Sequence, residues 1–187
     1  MPLTLANRLT VGRLLMVPFF IVTILYYSPE KDYLRFIVLG IFLVAVVLDV
    51  LDGYVARKFD QETKAGAILD PLADKILLIS AYICIYKISV LFDAVRFPIW
   101  LVVAVISRDV ILILGCAVIR LFNGDVSINP TIWGKMTVFF QVLAVIGILM
   151  QWQIFSLFWY VILILVIISG IDYILKGVKE LNSGADA

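Results

Sequence analysis

The sequence predicts an all-α integral membrane protein with six transmembrane helices and a short N-terminal juxtamembrane helix. Three observations predict it. Hydrophobic residues make up 64% of the 187-residue chain and charged residues only 16%, with a mean hydropathy of +1.11; a soluble domain is about 25% charged. The apolar residues gather into six runs close to the roughly 20 residues that a helix needs to span hydrocarbon. The lysines and arginines between those runs and toward their ends divide unevenly between the two sides, and that asymmetry sets orientation in a membrane.

Taken in order, residues 3–13 ("LTLANRLTVGR") mix polar and apolar side chains and are expected to lie along the membrane surface before the chain turns inward. The spans are expected at 8–27, 34–57, 67–90, 97–121, 133–151 and 154–175. Polar or turn-forming breaks separate them at "SPEKD" (28–32), "KFDQETKAG" (58–66), "LFDAVRF" (91–97), "FNGDVSINP" (122–130) and "QWQ" (151–153). No repeat, low-complexity tract or separate soluble segment interrupts the pattern, so residues 1–187 read as one domain. With the N-terminus in the cytoplasm, and Lys75 and Arg108 set apart as lying inside helices, nine Lys and Arg lie toward the cytoplasmic side and four toward the other. Both termini and the loop 58–66 are therefore expected to be cytoplasmic. The first apolar run has no small-x-small cleavage site after it, so it reads as a span and not as a signal peptide.

Several functions are disfavoured at once. A net charge of +1 gives no basic field for nucleic acid. Cys84 and Cys116 each sit in an apolar run without a CxxC partner, which reads as packing and not redox chemistry. The chain has no histidine, so catalysis here must use carboxylates, amines, hydroxyls or thiols.

Against that apolar background, the stretch "DVLDGYVARKFDQETKAGAILDPLADK" (49–75) is dense in charge. A charged side chain at the bilayer centre costs about 2.5–3.5 kcal/mol on translocon scales, so four acids at the ends of two spans need a reason. On an α-helix Asp49 and Asp52 are about 60° apart, and Asp70 and Asp74 about 40° apart on the next. The short loop makes those helices antiparallel neighbours, so the two pairs face one gap. Carboxylates without nitrogen or sulfur donors make a hard-oxygen site suited to Mg²⁺, Mn²⁺ or Ca²⁺, and two such ions can share it to clamp phosphoryl oxygens. Gly53, Ala56 and Gly66 remove side-chain bulk where a flat base or a diphosphate would approach the backbone. Arg57 is placed to meet phosphate or to offset the acids. A purely structural account, with acids capping helices and small residues marking helix packing, covers any one of these residues but not all of them in one window.

The window reads D-x2-D-G-x2-A-R-x8-G-x3-D-x3-D, and Asp49, Asp52, Gly53, Ala56, Arg57, Gly66, Asp70 and Asp74 fill every fixed position. In this the sequence resembles the CDP-alcohol phosphatidyltransferase family, and chain length and six spans extend the resemblance over essentially the whole chain. The resemblance implies a six-helix membrane enzyme, a homodimer, that moves a phosphatidyl group from CDP-diacylglycerol to an alcohol and releases CMP. It implies two divalent metal ions, Mg²⁺ or Mn²⁺, on Asp49, Asp52 and Asp70, with Asp74 as general base and a further metal contact. It also implies a CDP site shaped by Asp52, Gly53, Ala56, Arg57 and Gly66, in a bacterial inner membrane with the active site facing the cytoplasm.

The acceptor alcohol is divided. "ANRLTVGRLLMVP" (6–18) and "SGIDYILKG" (169–177) resemble the branch of the family that uses glycerol 3-phosphate, whereas "SRDVILILGCAVIR" (107–120) looks more like the cardiolipin-forming branch, whose acceptor is phosphatidylglycerol. Arg108 lies inside an expected span, so its charge should face a polar cavity, with Asp109 as counter-ion. Together with Arg120 or Lys135 it is expected to bind the phosphate of the acceptor. An Arg108–Asp109 pair that only holds helices together is the structural alternative. Glycerol 3-phosphate is the favoured acceptor. A non-enzymatic membrane transporter with an acidic cation site is the reading from another class, but it leaves the Gly, Ala and Arg at fixed offsets unexplained.

Overall fold

Proline and polar clusters punctuate the chain where hydropathy predicts ends of helices. In the computed structural model, which describes residues 5–58, 66–92, 95–123 and 131–185, the described residues form six α-helices and a short 3-10 turn, with no strand among them. They are α1 (Leu5–Leu25), α2 (Tyr33–Lys58), α3 (Gly66–Ser89), α4 (Ile99–Asn123), α5 (Ile132–Leu149) and α6 (Phe155–Ala185). Pro29 opens the 3-10 turn Pro29–Lys31, as a fixed φ and a missing N–H favour. Among the described residues, three helices are long and apolar enough to cross a membrane, at Tyr33–Leu51, Ile132–Leu149 and Phe155–Val178. Large apolar side chains on them, such as Phe36, Val47, Phe139 and Ile164, are exposed. That is the surface of a membrane protein, since apolar exposure on this scale is unfavourable in water.

Two bounds differ from expectation. The juxtamembrane segment is not a separate helix, because α1 runs without a break from Leu5 to Leu25. The reason is a single buried stripe at 4-3-4 spacing, Arg13, Val17, Phe20 and Ile24, which keeps residue 13 on the same face as the apolar body. α6 continues past residue 175 to Ala185, where an i,i+4 pair between Lys176 and Asp172 at 3.1 Å supports the added turns.

The chain packs as two compact units, Met1–Phe97 with Ile148–Gln151, and Pro98–Gly147 with Trp152–Ala187. In the first, α1 packs on α2 and on α3. The α1 stripe meets one on α2 made of Val38, Phe42, Ala45 and Asp49. Phe20 and Phe42 stack with ring centroids 6.2 Å apart, and Arg13 donates from Nη1 to Asp49 Oδ1. Seven residues separate the two contacts on each helix, in opposite directions, so α1 and α2 are antiparallel in a fixed register. α3 buries Ala73, Leu77, Ala81 and Ile85 along one face. At its far end Ser89 Oγ donates to Tyr86 O and accepts from Phe97 N, at 2.9 and 3.2 Å.

In the second unit α4 packs on α6. Arg108 reaches Ser169, and one turn further on Tyr173 Oη donates to Leu112 O at 3.2 Å. Both contacts advance four residues along both helices, so α4 and α6 run parallel. Gly115 permits the fit, since a Cβ there would lie 3.0 Å from Tyr173 Cε1. Thr131 caps α5 by accepting from Gly134 N at 3.1 Å, and Thr137 Oγ1 donates to Leu165 O on α6 at 3.2 Å. α5 ends in a pair of reversed bonds, Trp152 N to Gly147 O and Gln151 N to Ile148 O, each 3.0 Å. Gln151 takes the left-handed conformation, φ 55°, that this helix stop requires.

Candidate functional site

The motif residues fall on two helix ends of the first unit. Asp49, Asp52, Gly53, Ala56 and Arg57 occupy the last turns of α2, and Gly66, Asp70 and Asp74 the first turns of α3. Residues 59–65 and the side chains of 52–58, 66–72 and 74 lie outside the described residues. Asp49 is therefore the one motif carboxylate whose surroundings can be stated. It continues the buried stripe of α2 by one turn, and its side chain is 39% exposed.

Its partner, Arg13, is fully buried, at 0% exposure. A cation removed from water in this way costs several kcal/mol unless paired. The ion pair with Asp49 supplies that pairing. In return the guanidinium offsets part of the negative charge that the motif gathers at this end of α2. From the sequence Arg13 reads as one of the cytoplasmic cations, within the mixed segment 3–13. The signal that finds it is spacing, because residue 13 stands four before Val17 on the stripe that Phe20 and Ile24 complete.

The cation site of the second unit is built on α4. Arg108 is 6% exposed and Asp109 is fully buried. Arg108 Nη1 donates to Asp109 Oδ1 at 2.7 Å, so the expected counter-ion is in place. Both residues sit on α4, so the ion pair itself joins no two helices. The link between helices is the second bond, from Arg108 Nη2 to Ser169 Oγ on α6, at 2.6 Å. Gly134 of α5 is also close, since a Cβ there would lie 3.5 Å from Arg108 Nη2 and 3.8 Å from Ser169 Oγ. The Arg108 Nε is buried and has no hydrogen-bond partner among the described residues. Lys135 follows Gly134 on the first turn of α5 and is exposed. The Arg120 side chain lies outside the described residues, so the grouping of Arg108 with Arg120 remains an expectation. Ser169 and Gly134 were missed as contacts of Arg108. In the sequence Ser169 is the start of a family-like tail, and nothing local shows that it faces α4.

Chemically, the described donors are carboxylates and guanidinium groups. The profile of the CDP-alcohol phosphatidyltransferase family matches residues 3–171. The chain belongs to the CDP-alcohol phosphatidyltransferase family. A member from Aquifex aeolicus, named CDP-diacylglycerol–glycerol-3-phosphate 3-phosphatidyltransferase, is 35% identical over 181 residues, covering 92% of this chain and 95% of its own. A Mycobacterium tuberculosis protein named probable phosphatidylglycerophosphate synthase is 33% identical over 185 residues, 95% of this chain and 83% of its own. A Schizosaccharomyces pombe protein named as a cardiolipin synthase (CMP-forming) and mitochondrial hydrolase fusion is 41% identical, but over 63% of this chain and 18% of its own. As a CDP-alcohol phosphatidyltransferase the chain is an enzyme of a membrane family, and the match spans the motif helices as well as those that carry Arg13, Arg108 and Ser169.

Proposed function

We propose that the protein transfers the phosphatidyl group of CDP-diacylglycerol to a hydroxyl of glycerol 3-phosphate, giving phosphatidylglycerophosphate and CMP. The observation that carries this reading is the similarity along nearly the whole chain to proteins named for that reaction. The similarity to a cardiolipin synthase is partial. The reading extends to residues 1–187 acting as one catalytic domain of six transmembrane helices, a homodimer in a bacterial inner membrane with the motif facing the cytoplasm.

The family generally depends on divalent metal. The donor chemistry fits, because the motif offers carboxylates, the chain has no histidine, and the Asp49 carboxylate is partly exposed. Asp49, Asp52, Asp70 and Asp74 would hold two ions, Mg²⁺ or Mn²⁺, which supply positive charge against the diphosphate oxygens when bound. The rest falls to the chain. Asp52, Gly53, Ala56, Arg57 and Gly66 receive the CDP moiety, with the small residues giving the backbone access to it. Arg13 keeps the Asp49 carboxylate oriented. Arg108, with Arg120 and Lys135, binds the phosphate of glycerol 3-phosphate and so orients its free hydroxyl. Asp74 accepts the hydroxyl proton as that oxygen bonds to the phosphorus carrying the diacylglycerol. The bond from this phosphorus to the bridging oxygen breaks, and CMP leaves with the electron pair.

The test is a panel of acceptors. Purified protein with Mg²⁺ and CDP-diacylglycerol is offered glycerol 3-phosphate, phosphatidylglycerol, serine or inositol phosphate, and the lipid and the CMP formed are measured. Phosphatidylglycerophosphate from the first is expected. Cardiolipin from the second, with nothing from the first, would move the protein to the other branch. Orientation is tested separately by cysteine labelling at position 62, which is expected only from the cytoplasmic side. Labelling confined to the outer side would invert the topology.

A further inference from the structure

The Arg108 guanidinium is held from two directions. Asp109 takes Nη1 on its own helix, and Ser169, which is 1% exposed, takes Nη2 from α6. Two bonds at different nitrogens fix the plane of the group, whereas the Asp109 bond alone leaves it free to rotate. The register that brings Ser169 opposite Arg108 is set one turn away, where Tyr173 closes over Gly115 and bonds to Leu112 O. The third side is kept clear by Gly134, which leaves no side chain between the first turn of α5 and Nη2. Nε remains as a buried donor without a partner among the described residues. A buried donor left so is unfavourable, and a guanidinium fixed in plane with a spare donor suits a phosphate, which planar forks match well. Leu165 and Val166, one turn before Ser169 on α6, are buried and apolar, and the bond from Arg108 is the polar contact of the Ser169 hydroxyl among the described residues.

We propose that Ser169 is a positioning residue for the acceptor: through its hydrogen bond to Arg108 Nη2 it holds the guanidinium in the plane that receives the acceptor's phosphate, and so it favours phosphate-bearing over neutral alcohols. This rests on the reading of Arg108 as the acceptor-phosphate ligand, and the variants separate the two. Ser169→Ala, Ser169→Thr, Arg108→Lys and the double variant Arg108→Lys/Ser169→Ala are purified in detergent. KM is measured for glycerol 3-phosphate and for CDP-diacylglycerol, together with kcat and thermal unfolding. Ser169→Ala is expected to raise KM for glycerol 3-phosphate by about 3- to 10-fold, the net worth of one hydrogen bond, with kcat and the KM for CDP-diacylglycerol changed by less than about twofold. Ser169→Thr, which keeps the oxygen, is expected to stay near wild type. The double variant is expected to be no worse than Arg108→Lys, because a residue acting through another adds nothing once that other is altered. If Arg108→Lys raises the acceptor KM and Ser169→Ala does not, Ser169 is only a packing residue and the Arg108 reading stands. If Arg108→Lys leaves the acceptor KM unchanged, that reading fails and this one with it. Equal losses for both substrates in Ser169→Ala, or a threonine as harmful as alanine, would also overturn it.

Discussion

Asp74→Asn is expected to leave a folded protein that still binds CDP-diacylglycerol but turns over about 10²- to 10⁴-fold more slowly, the usual contribution of a positioned general base. The amide has the size of the carboxylate and cannot take the hydroxyl proton. The fold is expected to persist, because the substitution leaves untouched the buried apolar residues that seat α3, Ala73, Leu77, Leu78, Ala81, Tyr82 and Ile85. Three measurements separate the outcomes. Single-turnover CMP release reads the chemical step, equilibrium binding reads CDP-diacylglycerol, and thermal unfolding in detergent reads stability. A rate near wild type would assign the base to another residue. A lost binding signal with an intact fold would place Asp74 in substrate or metal binding alone.

Removing divalent cations is expected to have a comparable effect, a loss of at least about a hundredfold, since the charge such ions offset on a diphosphate is worth several kcal/mol and each 1.36 kcal/mol is about tenfold in rate. Mg²⁺ or Mn²⁺ should restore turnover, as hard cations suit carboxylate donors. Activity alone does not locate the ions, so Mn²⁺ binding followed by electron paramagnetic resonance supplies a second readout. Wild type is expected to bind two ions per chain, and Asp49→Asn to bind more weakly, because that carboxylate already shares its charge with Arg13 and an amide has none to share. Full turnover by chelator-treated protein, with no metal returned, would refute the dependence. Unchanged Mn²⁺ affinity in Asp49→Asn would remove Asp49 from the ligand set.

Much of this protein was legible before its structure. The helices α1 to α5 begin and end within a few residues of the expected bounds, because an apolar run of about 20 residues between polar breaks is a strong local signal. The motif was equally legible, since its spacing is counted along the chain and its donor chemistry belongs to the residue types themselves. The family followed from it. The start of α1 is not legible locally, because its mixed polar and apolar segment reads as a separate surface helix. Its polar Arg13 belongs to the buried stripe, and a hydropathy average cannot tell a cation at a surface from one drawn inward by a partner.

The tertiary structure alone decided the partners of the buried charges. Arg13 meets Asp49 across 36 residues of chain, and Arg108 meets Ser169 across 61. Both depend on helix register, which is set by the interlocking of side chains such as Phe20 with Phe42 and Tyr173 with Gly115. A shift of one residue turns a helix position by about 100°, enough to separate either pair while leaving the hydropathy of every span unchanged. The sequence by itself therefore determined a six-helix chain, its membrane character and its acidic motif, because these are properties of composition and spacing. Which serine holds which arginine is a property of packing, and only the folded chain determines it.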